Sequence, residues 1–138
     1  MREQPSVALG VEIVKRVLVV DDDQDIRDLL QMTLESEGYQ VATAADGVAA
    51  VEFLTCAEDA WIVLLDIMLP GLDGLEVCAR LCAAGPTATH HRVALMTAGR
   101  LELKVCPLPA RTLLRKPFRL DPVCKLVAAL AHDQAGCT

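Results

Sequence analysis

Aromatic residues are nearly missing from this chain: two Phe, one Tyr and one Trp, 3% of 138 residues. Rings cannot dominate the core, so Val, Leu, Ile and Ala must fill it in a sequence that is 53% hydrophobic. Long apolar runs are also absent, and none approaches the roughly 20 residues of a membrane span. Residues 1–10 lack the apolar core of a signal peptide. A soluble, cytoplasmic protein with no membrane partner is therefore expected. Positive charge is scarce: the net charge is −6, which argues against non-specific nucleic-acid binding. No direct nucleic-acid partner is expected, although Arg111, Arg115, Lys116 and Arg119 form a local basic patch. CxxC pairs are missing among the six cysteines, Cys56, Cys78, Cys82, Cys106, Cys124 and Cys137. Structural zinc sites favour such tight pairs. A zinc site from Cys78, Cys82, His90 and His91 is conceivable, but the plainer expectation is small buried hydrophobes on helices.

What is present is organised around residues 61–74. Ile62 to Leu65 is an apolar run without alternation, as a strand buried on both faces reads. It ends in a carboxylate, Asp66. Pro70 and Gly71 then force a turn, and Asp73-Gly74 opens a helix over about 74–84 with Val77, Cys78 and Leu81 inward. A charge at the end of a buried strand is costly unless something needs it there. In open α/β sheets, that edge forms the ligand crevice.

The rest repeats the theme. Residues 1–15 read as an irregular leader, from which Val11, Ile13 and Val14 could extend the first strand. Residues 16–20 are a second apolar run, ending in Asp21, Asp22 and Asp23. The next helix carries Ile26, Leu29, Leu30, Thr33 and Leu34 on one face, and Gly38 closes it. A short strand over 40–44 follows, then a helix capped by Asp46-Gly47 with Val48, Val51 and Leu54. Gly85-Pro86 stops the helix after Asp66, and a polar loop through His90 and His91 leads to the run 93–96 and Thr97. Residues 112–115 form a fifth run, ended by Lys116-Pro117. Asp121 as N-cap with Pro122 at the first helical position begins the last helix, with Val123, Leu126, Val127 and Leu130 inward. Residues 133–138 are a tail. The order β-α five times implies one α/β domain, a parallel sheet with helices on both faces.

Parallel strands put Asp21 and Asp22, Asp66, Thr97 and Lys116 along one edge. Taken singly, each has a plain explanation: an N-cap, a strand-end Thr, a solvated Lys. Together they define a chemistry. Neighbouring carboxylates repel and want a cation, and oxygen ligands suit Mg²⁺. A carboxylate beside that metal can attack phosphorus and form an acyl phosphate. Mg²⁺, the Lys116 ammonium and the Thr97 hydroxyl would then neutralise the phosphoryl oxygens.

The motifs VLVVDDDQDIR, LLDIMLPGLDG, LMTAG and RKPF occur in this order. On them, residues 16–132 resemble the receiver domain of two-component response regulators, of the single-domain chemotaxis-regulator kind. Asp22 and Asp66 lie 44 residues apart, the family's spacing between its second acid and its acceptor. The resemblance implies a flavodoxin-like doubly wound sheet of order 2-1-3-4-5. It makes Asp66 the phospho-acceptor, Thr97 the switch hydroxyl and Lys116 the phosphoryl-binding lysine. It gives Mg²⁺ to Asp22 directly, to Asp21 largely through water, to Asp66 and to the backbone carbonyl of Met68. It also implies a cis Lys116-Pro117 bond. The implied partners are a sensor histidine kinase or phosphotransfer protein and an unknown downstream protein, with a dimer on phosphorylation admitted. No enzyme activity is expected beyond the domain's own phosphorylation and dephosphorylation.

The chain departs from the pattern between Thr97 and Lys116, where the spacing of 19 is short for the family. Pro107 and Pro109 forbid a normal fourth helix there, so one short turn at about 100–105, or none, is expected. Leu113 stands where the family usually has an aromatic, and plain core packing is expected of it. Met68 and Gly99, two after Asp66 and Thr97, cannot hold an attacking water, so a slow loss of phosphate is expected. The chain ends soon after its last helix, so output by protein binding or phosphorelay is expected rather than direct transcriptional control. A fragment of a larger hybrid protein is the other reading of that end. Two alternatives belong to other classes. One is a pseudo-receiver, a binding module not regulated by phosphorylation. The other is a haloacid-dehalogenase-like phosphatase, which needs an Asp two residues after its nucleophile. Asp66 is followed by Ile67-Met68, whereas Asp21 is followed by Asp22-Asp23 in an otherwise receiver-like chain.

Overall fold

The computed structural model of the chain describes residues 13–98, 109–117 and 119–132. Its strands are β1 (Arg16–Val20), β2 (Gln40–Ala44), β3 (Ile62–Asp66), β4 (Arg92–Thr97) and β5 (Ala110–Arg115). All neighbours pair in parallel, in the order β2-β1-β3-β4-β5. The helices are α1 (Gln24–Ser36), α2 (Gly47–Cys56), α3 (Gly74–Ala83), the single turn α4 (Pro86–Thr89) and α5 (Leu120–Ala131). The expected doubly wound α/β sheet is therefore present. The shortened helix expected at about 100–105 lies outside the described residues.

The unbroken apolar runs follow from burial of the sheet on both faces. Leu18, Val20, Val63, Leu65, Val93 and Leu95 pack with Ala50 and Leu54 of α2 and Val77, Cys78 and Leu81 of α3. Val17, Val19, Ile62, Leu64, Ala94 and Met96 pack with Leu30 and Leu34 of α1 and Val123, Val127 and Leu130 of α5. Each fully buried Leu in these layers contributes about 2 kcal/mol relative to exposure. Leu113 is half-buried against the first layer, in keeping with plain packing.

Helix ends follow local chemistry. Asp23 caps α1, its side chain accepting from the N–H groups of Asp25 and Ile26. Gly38 ends that helix with φ of 96°, a left-handed conformation that a side chain would oppose. Asp73 and Glu76 form a reciprocal capping box at the start of α3.

Several expectations need correction. Leu29 and Val48 are exposed, at 45% and 54%; each lies at the margin of its helix's apolar arc, where the 3.6-residue period does not decide. Asp121 is not the N-cap of α5: Arg119 holds that position, without a side-chain bond, and Asp121 sits in the first turn. Pro122 is still tolerated there, because first-turn N–H groups have no intrahelical acceptor. The expected polar loop before β4 begins as the turn α4, with Pro86 in its first turn. Ile13 and Val14 do not extend β1, which begins at Arg16, although Val14 is buried and its N–H donates to the Ala131 carbonyl at 2.9 Å.

Candidate functional site

The site is assembled where β1, β3, β4 and β5 end. Val20 pairs with Leu65 and Asp66 with Met96, so Asp21 and Asp66 emerge side by side at the same edge. Thr97 is the last residue of β4, and its carbonyl accepts from the Lys116 N–H at 2.7 Å. That bond fixes Lys116 just beyond β5. A register shift between Val93 and Ala94 sets the alignment of β5 on β4 upstream of it. The Lys116–Pro117 peptide is cis.

Carboxylate oxygens of Asp21, Asp22 and Asp66 lie within 4.8 Å of one another. Asp21 and Asp66 are buried and Asp22 is exposed, so the cluster opens to solvent through Asp22. Lys116 Nζ donates to Asp21 Oδ2 at 2.8 Å and to Asp66 Oδ2 at 3.1 Å. The Met68 N–H donates to Asp66 Oδ1 at 3.0 Å, and the Asp23 N–H to Asp21 Oδ1 at 2.9 Å. Thr97 is buried at the same edge. The structure thus brings Asp21, Asp22, Asp66 and Lys116 into one cluster, with Met68 and Thr97 bordering it.

Burial pushes the Asp66 carboxyl above the usual carboxylate range, against the Met68 N–H and the Lys116 ammonium; the charge of Asp21 adds to the rise. For Lys116, burial acts to lower the pKa, but hydrogen bonds to Asp21 and Asp66 outweigh it and raise it. The ammonium therefore stays charged, while the Asp66 carboxylate is under electrostatic stress. A hard cation relieves that stress. The donor set is all oxygen, with an open side at Asp22, which fits Mg²⁺ and its retained waters.

Among the described residues, this is the one group of three His, Cys, Asp or Glu side chains so placed. The conceivable zinc set does not form one. Both ring nitrogens of His91 are taken, Nδ1 by the Trp61 N–H at 3.0 Å and Nε2 on the Leu54 carbonyl at 2.9 Å. Of the cysteines, Cys78 is buried as expected, Cys56 and Cys82 are exposed, and Cys124 is half-buried; Cys106 and Cys137 lie outside the described residues. Sequence reasoning also passed over Arg27, whose Nη1 donates to the Asp21 carbonyl at 2.7 Å. The available signal was a basic residue one turn into the helix that follows an acidic triplet.

A model of the response regulator receiver domain matches residues 17–128. Solved structures share the fold. The receiver domain of a sensor histidine kinase from Pseudomonas aeruginosa is 25% identical, over 87% of this chain and 99% of that one, with a TM-score of 0.75. That structure has a magnesium ion coordinated in its active-site cleft. A CheY-like receiver domain protein from Methanospirillum hungatei is 24% identical over 82% and 90% of the two chains, with a TM-score of 0.72. A Vibrio cholerae chemotaxis protein is 25% identical over 85% and 98%, with a TM-score of 0.69. With the matched motif residues gathered at one edge of the expected sheet, this chain belongs to the response regulator receiver domain family.

Proposed function

We propose that the domain takes a phosphoryl group onto Asp66 from the phosphohistidine of a sensor histidine kinase or phosphotransfer protein, in the presence of Mg²⁺. The observation that carries this reading is the placement of a buried Asp66 within reach of two further carboxylates and 3.1 Å from the Lys116 ammonium. An Asp66 carboxylate oxygen attacks phosphorus as the P–N bond breaks, and the departing imidazole keeps the bonding pair. Asp21, Asp22, Asp66 and the Met68 carbonyl would hold the metal. When bound, Mg²⁺ supplies charge neutralisation at the phosphoryl oxygens. Lys116 moves from its carboxylate partners to one phosphoryl oxygen, and the Thr97 hydroxyl donates to another. The resulting shift near β4 and β5 changes affinity for a downstream protein, a population shift between two states. The domain catalyses no reaction besides its own phosphorylation and dephosphorylation.

Intact mass after incubation with acetyl phosphate and Mg²⁺ tests this. One added phosphoryl group is expected, absent without Mg²⁺ and absent in Asp66→Asn. A wild-type protein that binds Mg²⁺ yet remains unmodified by both acetyl phosphate and a phosphohistidine donor would be a pseudo-receiver instead. Once formed, the acyl phosphate is expected to persist. The Met68 side chain beside Asp66 is 70% exposed and apolar, with no group to orient an attacking water. Loss of the added mass within seconds would contradict this.

A further inference from the structure

We propose that Arg27 is a positioning residue for the metal site, acting on Asp22 through the backbone of the acidic triplet. The inference rests on the receiver reading above. Among the described residues, no hydrogen bond or ion pair holds the Asp22 carboxylate. Its location is therefore set by the backbone on either side of it. Arg27 grips that backbone at both ends. Its guanidinium Nη1 donates to the Asp21 carbonyl at 2.7 Å, and its main-chain N–H donates to the Asp23 carbonyl at 3.0 Å. The Asp21 N–H is tied to Ala44 on β2 at 3.2 Å, and Asp21 Oδ1 receives the Asp23 N–H. The side-chain bond is charge-assisted and half-buried, where such bonds are strong. It orients the peptide between Asp21 and Asp22, the unit that aims the exposed carboxylate at the cluster.

Geometry and charge predict opposite signs. Removing a cation near an acidic site should tighten Mg²⁺ binding if charge dominates, and should weaken it if positioning dominates. Residues that orient metal ligands typically change affinity by about 10- to 100-fold. Calorimetric titration with Mg²⁺ at neutral pH is the test, run on wild type, Arg27→Gln, Arg27→Met and Arg27→Lys. Arg80→Gln, an exposed site on α3, controls for net charge. Expected are a dissociation constant about tenfold weaker in Arg27→Gln and Arg27→Met, substantial recovery in Arg27→Lys, and no change in Arg80→Gln. Thermal unfolding without metal gives the readout of a merely structural role. Lower metal-free stability with an unchanged dissociation constant would overturn the proposal, as would equal or tighter binding in the neutral variants. No Mg²⁺ binding by wild type would overturn the receiver reading and this proposal together, whereas a binding wild type with unaffected Arg27 variants overturns this proposal alone.

Discussion

His91 lies immediately before β4 with no exposed surface, and both of its ring nitrogens are used. Nδ1 accepts from the Trp61 N–H, so Nε2 carries the proton that it gives to the Leu54 carbonyl. This neutral tautomer ties the end of α2 to the residue before β3. A second proton would have to sit on Nδ1, facing a donor. Burial first, and then the neighbouring His90 and Arg16, hold the pKa down at about 4, against the Leu54 bond. A depressed histidine pKa stabilises the fold fully above the unfolded value near 6.5, and that stability is lost as pH falls toward the folded value. Between pH 6.5 and 4, wild-type stability should fall by up to about 1.4 kcal/mol per pH unit from this residue, on the order of 3 kcal/mol in all. Urea unfolding across that range checks it: His91→Gln should lack this component, and equal slopes in the two proteins would refute it. Nothing in the sequence distinguished His91 from a loop histidine, because its partners lie 30 and 37 residues away.

Glycines govern the β3–α3 connection, which follows Asp66. A Cβ added to Gly74 would stand 2.7 Å from the Asp66 carbonyl and 2.8 Å from Ile67 Cα, both backbone atoms. Neither can yield without moving Asp66 itself. Gly71 differs: its φ of 73° is left-handed, and a Cβ there meets nothing. Gly71→Ala should thus cost about 1 kcal/mol through conformation alone, with phosphoryl transfer intact. Gly74→Ala should cost about 1–3 kcal/mol and also slow adduct formation by acetyl phosphate; denaturation midpoints and mass spectra of the two variants check this. Strands β1, β3, β4 and β5 were legible in the sequence because each is an apolar run stopped by a polar residue, and the same stops are the site. The turn α4 was not: four residues show no periodicity, and Pro86 reads as well for a stop as for a start. The cap of α5 was misplaced by two residues because Asp121 favours a first turn as much as a cap.

At the scale of the molecule, the sheet separates two ends. Asp66 closes β3 at one end, and Trp61 precedes it at the other, its ring edge-on to Phe53 at 4.9 Å. The span is roughly 16 Å of extended chain. Magnesium at 100 times its dissociation constant should stabilise the domain by about 2.7 kcal/mol, while tryptophan emission changes little. A thermal shift without a matching fluorescence change is the expected pair of results; a strong quench on adding Mg²⁺ would show that the two ends are not separate. The whole-chain pattern was legible because the paired acids, the threonine and the lysine are ordered by strands that all run one way. What was not legible is which group of the chain itself faces the acids. Lys116 bridges Asp21 and Asp66 from within the chain. Three carboxylates against one ammonium leave the cluster two negative charges from neutrality, the deficit that one divalent ion fills. The chain thus supplies, through Lys116, part of the positive charge that the acids at its own sheet edge require.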